Sequence, residues 1–309
     1  MKVLYIAGCG RSGSTILDNI LGQIDGFVSV GEIRYLWQRG IIDDRLCGCG
    51  ERFSTCPFWT RVMPRAGSVG SVEAERVVGL LARGTRARHV PWLLRSRKRP
   101  DRLRERLSEL PEILSRLYGA VATESGARVI VDSSKLPTYG ELLRHVAGVD
   151  LRVVHLVRDP RATAYSWSRA KPLPAGDGSV MQRQTPLKSA ALWSTWNAAA
   201  EGFWHAGPRS LRIRYEDFIA EPRPVIERIV ALVGEPPTEL PFIGPTEVTL
   251  GTTHGVAGNP SRFTTGTVPL TLDDAWRDAM RPGDRRLVTA ITAPLAYRYR
   301  YLAAAGRRP

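Results

Sequence analysis

The sequence predicts an α/β fold. One domain over residues 1–309 is expected, built on a doubly wound, P-loop-like parallel sheet with helices on both faces and an inserted helical lid at 60–118. Three observations carry this expectation. Short Val/Ile/Leu-rich runs alternate with segments of helical periodicity. Those runs are apolar along their whole length, as strands covered on both faces are. The first of them, Val3-Leu4-Tyr5-Ile6-Ala7, opens directly into a glycine-rich loop, Gly8-Cys9-Gly10-Arg11-Ser12-Gly13-Ser14-Thr15.

Taken in order, strands are expected at 2–7, 28–31, 128–132, 151–157 and 210–214. Helices are expected at 14–23, 137–147, 161–170, 187–206 and 223–233. Alternation of this kind places ligands at the carboxyl ends of the strands. The segment 60–118 interrupts it, with helix-like stretches at 72–83 and 101–118 and no strand between them. It reads as a lid or substrate-side subdomain. From 235 to about 271 the chain is rich in Pro, Gly and Thr, which reads as a long ordered loop of the kind that often carries function. A last helical segment is expected at 272–294, capped by Asp273-Asp274.

Composition narrows the function. The chain of 309 residues is 43% hydrophobic and 24% charged, as globular proteins are, and its formal charge is +14. Ten Arg or Lys against two acids between 83 and 106 supply +8 of this. The stretch reads either as a solvated helical face or as a surface that attracts an anionic substrate. Nucleic-acid binding is the weaker reading, because no recognition motif or aromatic platform accompanies the charge. No run approaches the roughly 20 apolar residues of a membrane helix, and the start lacks the pattern of a signal peptide, so a cytoplasmic protein is expected. Cys47, Cys49 and Cys56 cluster ahead of Pro57-Phe58-Trp59. They fall one short of a Cys₄ zinc site, and no histidine lies nearby in sequence. A local disulfide or a pinned loop is therefore expected, and no metal.

The glycine loop carries the sharpest signal. Gly8, Gly13 and Thr15 match the spacing of the phosphate-binding pattern G-x-x-x-x-G-K-[ST], with Ser14 in the lysine position. Backbone amides and a helix N-terminus there would cradle an anion, while the missing lysine argues against ordinary ATP or GTP chemistry. A second signal is the strand 151–157, which ends in Arg158-Asp159-Pro160. Asp159 is a good helix cap and Pro160 a good first helical residue, so Arg158 stands at the strand edge with Ser166 two turns on. A guanidinium fork and a hydroxyl so placed make a phosphate clamp. The strand Val129-Ile130-Val131-Asp132 leads to Ser133-Ser134-Lys135. It can be read as a kinase strand with Asp132 on Mg²⁺, or as the source of a replacement cation, Lys135, in a chain with only five lysines.

Together these segments resemble the superfamily of sulfotransferases that use 3′-phosphoadenosine-5′-phosphosulfate. The bacterial branch akin to tyrosylprotein sulfotransferases fits best, because its loop also reads Arg-Ser-Gly-[ST]-Thr. That branch follows the loop with a Gly-Glu-x-x-Arg-like segment, shortened here to Val30-Gly31-Glu32-Ile33-Arg34. The resemblance covers most of the core but not 60–118. It implies that Gly10, Arg11, Ser12, Gly13, Ser14 and Thr15 bind the phosphosulfate, and that Arg158 and Ser166 bind the 3′-phosphate. It also places Tyr215 of the Tyr-Glu-Asp segment near the adenine, and Ser261 and Arg262 in a late loop over the nucleotide. Glu32 would be the base, with Lys135 and Arg11 stabilising the transferring group. The acceptor would be a hydroxyl on a small molecule, glycan or lipid, with the arginines of the insertion pointing to an anionic one. The transfer would need no metal.

Residue chemistry leaves other readings open beside this one. Glu32 and Arg34 would pair on the surface in a purely structural reading. His254 is a second candidate base. Arg169 falls one residue earlier than the arginine that follows the serine in the tyrosylprotein branch. A P-loop kinase and a non-catalytic polyanion-binding module are the two alternative functions.

Overall fold

The computed structural model describes residues 1–67, 70–96, 107, 109–170, 172, 181–205 and 207–302. At its centre is a five-stranded parallel sheet of β1 (Lys2–Gly8), β2 (Phe27–Ser29), β3 (Val129–Lys135), β4 (Asp150–Val157) and β5 (Ser210–Arg214), in the order β2-β3-β1-β4-β5. All five are the expected strands. The largest boundary difference is at β3, which runs on through Asp132, Ser133 and Ser134 to Lys135. These polar residues stay in the sheet because Asp132 accepts hydrogen bonds from the Ser134 amide at 2.9 Å and the Tyr118 hydroxyl at 2.6 Å.

Strand β1 shows why the sheet is covered on both faces. Val3, Tyr5 and Ala7 pack into one apolar cluster, and Leu4 and Ile6 pack into the other. The second cluster is closed by α1 (Ser14–Leu21) through Leu17 and Ile20, and by Phe218, Ile226 and Ile229 from later helices. The first is closed by residues of the insertion, among them Ala74, Val77, Leu81, Leu110 and Leu114. The helix expected at 72–83 runs Ser71–Gly84. That expected at 101–118 runs Leu110–Ser125, and its first residues, 101–106, lie outside the described part of the chain. The part of the basic stretch 83–106 beyond Ser96 lies outside it as well.

Two expectations for the last third of the chain are corrected. The stretch 235–271 is not one loop, since it holds an antiparallel hairpin of β6 (Glu247–Leu250) and β7 (Gly266–Pro269). The terminal helix does not begin at Asp273-Asp274. A short turn Trp276–Ala279 comes first, and the long helix runs Pro282–Arg298. Pro282 fits the first turn of that helix and sets its start. No helix among the described residues is long and apolar enough to cross a membrane.

One buried acid makes stability pH-dependent. Asp18 of α1 is 3% exposed and takes a hydrogen bond from the Ser29 hydroxyl at 2.8 Å. Burial pushes its carboxyl up to about 7. The folded state thus holds the proton more tightly than the unfolded chain does, so this contribution is complete below about pH 4 and is lost as pH rises to about 7. Asp18→Asn cannot ionise. Its stability relative to the parent should therefore improve between pH 5 and pH 8 by on the order of 2–3 kcal/mol, or about 5 °C in melting temperature. An equal difference at the two pH values would refute the assignment.

Candidate functional site

The chain turns toward β2 and β3 after β1 and toward the opposite edge after β4, so a crevice opens at the carboxyl ends of these two adjacent strands. The glycine loop fills its floor. Gly8 has φ +145°, and a Cβ there would strike the carbonyl of Leu156 on β4. Gly13 has φ +85°, and a Cβ there would strike the ring of Tyr215. The Ser12 hydroxyl donates to the Cys9 carbonyl at 2.5 Å and closes the loop on itself. Gly13 has no side chain to cap α1, so the first amides of that helix face the crevice without an internal acceptor.

Cations surround the loop. Arg11 is 9% exposed, and none of its three guanidinium nitrogens has a hydrogen-bond partner. Its charge lies over the Trp167 ring at 4.9 Å. Burial lowers its pKa and Glu32 opposes the shift. Its backbone is left-handed, with φ +68°, and so is that of Lys135, with φ +69°. A residue with a Cβ pays about 1–2 kcal/mol for this conformation, so the fold holds both cations in place against local preference. Lys135 ends β3 and donates to Glu32 Oε1 at 2.5 Å and to the Ser133 carbonyl at 3.1 Å. Arg34 is not the partner of Glu32. It donates to Thr85 Oγ1 at 3.2 Å instead.

Arg158 follows β4 and ties three parts of the site together. It donates to the Arg11 carbonyl at 3.1 Å, lies over the Tyr215 ring at 4.6 Å, and meets Asp273 Oδ2 at 3.2 Å. The cap and first helical residue read from sequence are both present. Asp159 accepts from the Arg161 amide at 2.8 Å, and the helix starts at Pro160. Arg169 reaches the same Asp273 carboxylate at 2.8 Å, so two arginines converge on one anion. From the late loop, Arg262 donates to the carbonyls of Gly258 at 3.3 Å and Leu46 at 3.0 Å, and burial lowers its pKa to about 10.

Arg11, Glu32, Lys135, Arg158, Arg262 and Asp273 line one cavity of about 1140 Å³, and Arg169 lies outside its lining. Of the residues singled out in the sequence, Gly10, Arg11, Gly13, Ser14, Thr15, Glu32, Lys135, Arg158, Ser166, Tyr215, Ser261 and Arg262 all border it. Ser12 does not, since its hydroxyl is spent on the loop. Trp167, Tyr35, Arg39, Gln184 and Asp273 also border it and were not foreseen. Trp167 lies in the helix after Arg158, directly beside Ser166 in sequence. No described residue of 60–118 borders the cavity.

Two catalytic alternatives are corrected. Asp132, the Mg²⁺ ligand of the kinase reading, is fully buried and lies outside the cavity lining, among Tyr118 and Ser134. Burial pushes its carboxyl up to about 6. His254, the second candidate base, also lies outside the cavity. Its ring stacks on Phe58 and its Nδ1 faces Cys56. Of the two readings of the cysteine loop, the disulfide drops out, because Cys47, Cys49 and Cys56 form no S–S bond with one another.

A sequence model described as the sulfotransferase family matches residues 4–239. No curated protein sequence matches the chain. Among solved structures, the chain is similar to a sulfotransferase domain from the olefin synthase of Synechococcus PCC 7002. Identity there is 20%, the TM-score is 0.57, and the match covers 98% of this chain and 96% of that one. It is also similar to a sulfotransferase domain from the curacin biosynthetic pathway, at 16% identity and a TM-score of 0.51, covering 94% of this chain and 97% of that one. At these identities the likeness shows the α/β fold.

Proposed function

The chain belongs to the sulfotransferase family, and from that premise we propose that it moves the sulfuryl group of 3′-phosphoadenosine-5′-phosphosulfate to an acceptor hydroxyl, with Glu32 as base. The observation that carries this reading is the pairing of two features in one cavity. Arg11 presents a buried guanidinium without an acceptor, and the Glu32–Lys135 pair stands across the same glycine loop. A buried cation lacking hydrogen-bond partners is costly unless an anion arrives to take them. The phosphosulfate is such an anion.

In this reading the loop amides and the N-terminus of α1 hold the 5′-phosphate. Arg158 and Ser166 take the 3′-phosphate, with Tyr215 near the adenine. The acceptor oxygen attacks sulfur in line. A new O–S bond forms, the bond from sulfur to the phosphate oxygen breaks, and 3′,5′-bisphosphoadenosine leaves. The acceptor proton passes to the Glu32 carboxylate. Charge develops on the sulfuryl and leaving oxygens, and Arg11 and Lys135 face the place where it appears. These protein cations, rather than a metal, supply the compensating charge. The cavity's 1140 Å³ exceeds the usual range for one ligand, which fits a donor and an acceptor bound together.

A thermal-shift comparison tests the donor class. Saturating 3′,5′-bisphosphoadenosine should stabilise the protein, by about 2.7 kcal/mol at a hundredfold excess over its dissociation constant, and ATP–Mg²⁺ should do less. Stabilisation by ATP–Mg²⁺ alone would overturn the proposal.

A further inference from the structure

Outside the lining of the donor cavity, but next to it, lies a cluster that the transfer reaction does not use. Cys47, Cys49 and Cys56 come from one loop, and His254 comes from the segment after β6. Their four candidate ligand atoms all lie within 4.8 Å of one another. Cys56 Sγ is 3.5 Å from Cys47 Sγ, 3.7 Å from Cys49 Sγ and 3.3 Å from His254 Nδ1. Cys47 Sγ is 3.9 Å from the same nitrogen. A tetrahedral zinc ion with Zn–S of about 2.3 Å and Zn–N of about 2.0–2.1 Å has S···S edges of about 3.8 Å and S···N edges of about 3.5 Å. Four of the six separations lie within about 0.4 Å of those edges, and all six lie within 4.8 Å. They are far longer than the roughly 2.05 Å of a disulfide.

The surroundings serve the same geometry. A Cβ on Gly48 would lie 2.7 Å from the Thr253 carbonyl, and its amide donates to the Gly255 carbonyl at 3.0 Å, so glycine lets the two ligand-bearing segments touch. Gly50, at φ +90°, returns an amide to the Cys47 carbonyl at 2.9 Å. The His254 ring stacks on Phe58 at 5.1 Å, and the Trp59 indole donates to the His254 carbonyl at 2.9 Å. These contacts orient the imidazole with Nδ1 toward the sulfurs, as groups around metal-bound histidines do.

We propose that Cys47, Cys49, Cys56 and His254 form a closed, four-ligand structural zinc site that clamps the late loop of the donor cavity to the 43–56 segment. Three thiolates and one imidazole make a soft donor set suited to zinc, and four protein ligands leave no open position for substrate. The clamp lies next to the cavity through Leu46, which precedes Cys47 and accepts from Arg262. This last consequence rests on the proposed donor site. The metal site does not.

The test uses the untagged full-length chain, purified without chelator from zinc-supplemented cells. Elemental analysis should find about one zinc per chain. Cobalt(II) exchanged in its place should show the intense visible bands and thiolate charge-transfer bands of a tetrahedral site. Cys56→Ser should lose the metal and Cys9→Ser should keep it. If Cys56→Ser does not fold, the parent protein's metal content and cobalt spectrum decide alone. A folded parent protein that is metal-free and takes up no cobalt would overturn the proposal, as would an intact mass showing two hydrogens lost to a disulfide. Zinc at one equivalent without bisphosphoadenosine binding would sink the proposed function and leave the metal site standing.

Discussion

Glu32→Gln is expected to lower turnover by about 10²–10⁴-fold, the usual contribution of a positioned general base, while 3′,5′-bisphosphoadenosine binds as before or slightly more tightly. The glutamine keeps the shape of the side chain and loses the carboxylate that accepts the proton. It also removes one negative charge from a cavity that must receive a polyanion. Lys135→Ala should cost about 10²–10³-fold, as loss of a group facing developing charge does. The two side chains meet at 2.5 Å and are only 11% and 14% exposed, so this is not a solvated surface pair of negligible worth. Because they touch, the double variant should lose less than the product of the single losses. A purely structural pair makes the opposite forecast. In that case both variants would melt earlier and the folded fraction would turn over at the parental rate. Steady-state rates normalised to folded protein, with melting curves alongside, separate the two.

Most of this site was legible because its parts sit where short-range rules apply. Gly8, Gly13 and Thr15 obey a fixed spacing, and strands buried on both faces announce themselves by uninterrupted apolar runs. Arg158 could be placed because it follows such a strand, and Lys135 because it comes shortly after one in a chain with only five lysines. The failures have a common physical cause, which is tertiary contact over long sequence distance. Asp273 stands before a helical pattern, and an acid there carries the signal of a cap. Its carboxylate is instead held by Arg158 and Arg169, more than a hundred residues away. His254 could not be added to the cysteines because no ligand-spacing rule reaches across some two hundred residues. The Glu247–Leu250 strand alternates exposed and buried residues over only four positions, too short a run to stand out from the Pro/Gly/Thr-rich sequence around it. Asp132 shows why the kinase reading was the weaker one. A strand ending in Asp is a Mg²⁺-binding pattern, yet here the acid turns inward to Tyr118.

Replacing Arg158 should separate nucleotides by their 3′-phosphate. Arg158→Ala is expected to weaken 3′,5′-bisphosphoadenosine by about 10–100-fold, the worth of a charge-assisted hydrogen bond, and to change 5′-AMP much less. Arg158→Lys should recover only part of the loss, since an ammonium cannot present the planar fork that also reaches the Arg11 carbonyl. Asp273 sharpens the test. Its carboxylate engages both Arg158 and Arg169, at 3.2 and 2.8 Å, and so takes the position of an anion between them. A 3′-phosphate must compete with it. Asp273→Asn keeps the hydrogen-bonding shape and drops the charge, so it should tighten 3′,5′-bisphosphoadenosine by about 3–10-fold, in line with a partly exposed ion pair of roughly 1 kcal/mol. The gain should be absent for 5′-AMP and should vanish in the Arg158→Ala background. If Asp273 were instead a brace that positions the two arginines, Asp273→Asn would weaken the bisphosphate. The sign of that single change therefore decides whether the pair of arginines is a phosphate site held closed by the protein's own carboxylate. Titration calorimetry with the two nucleotides measures it directly.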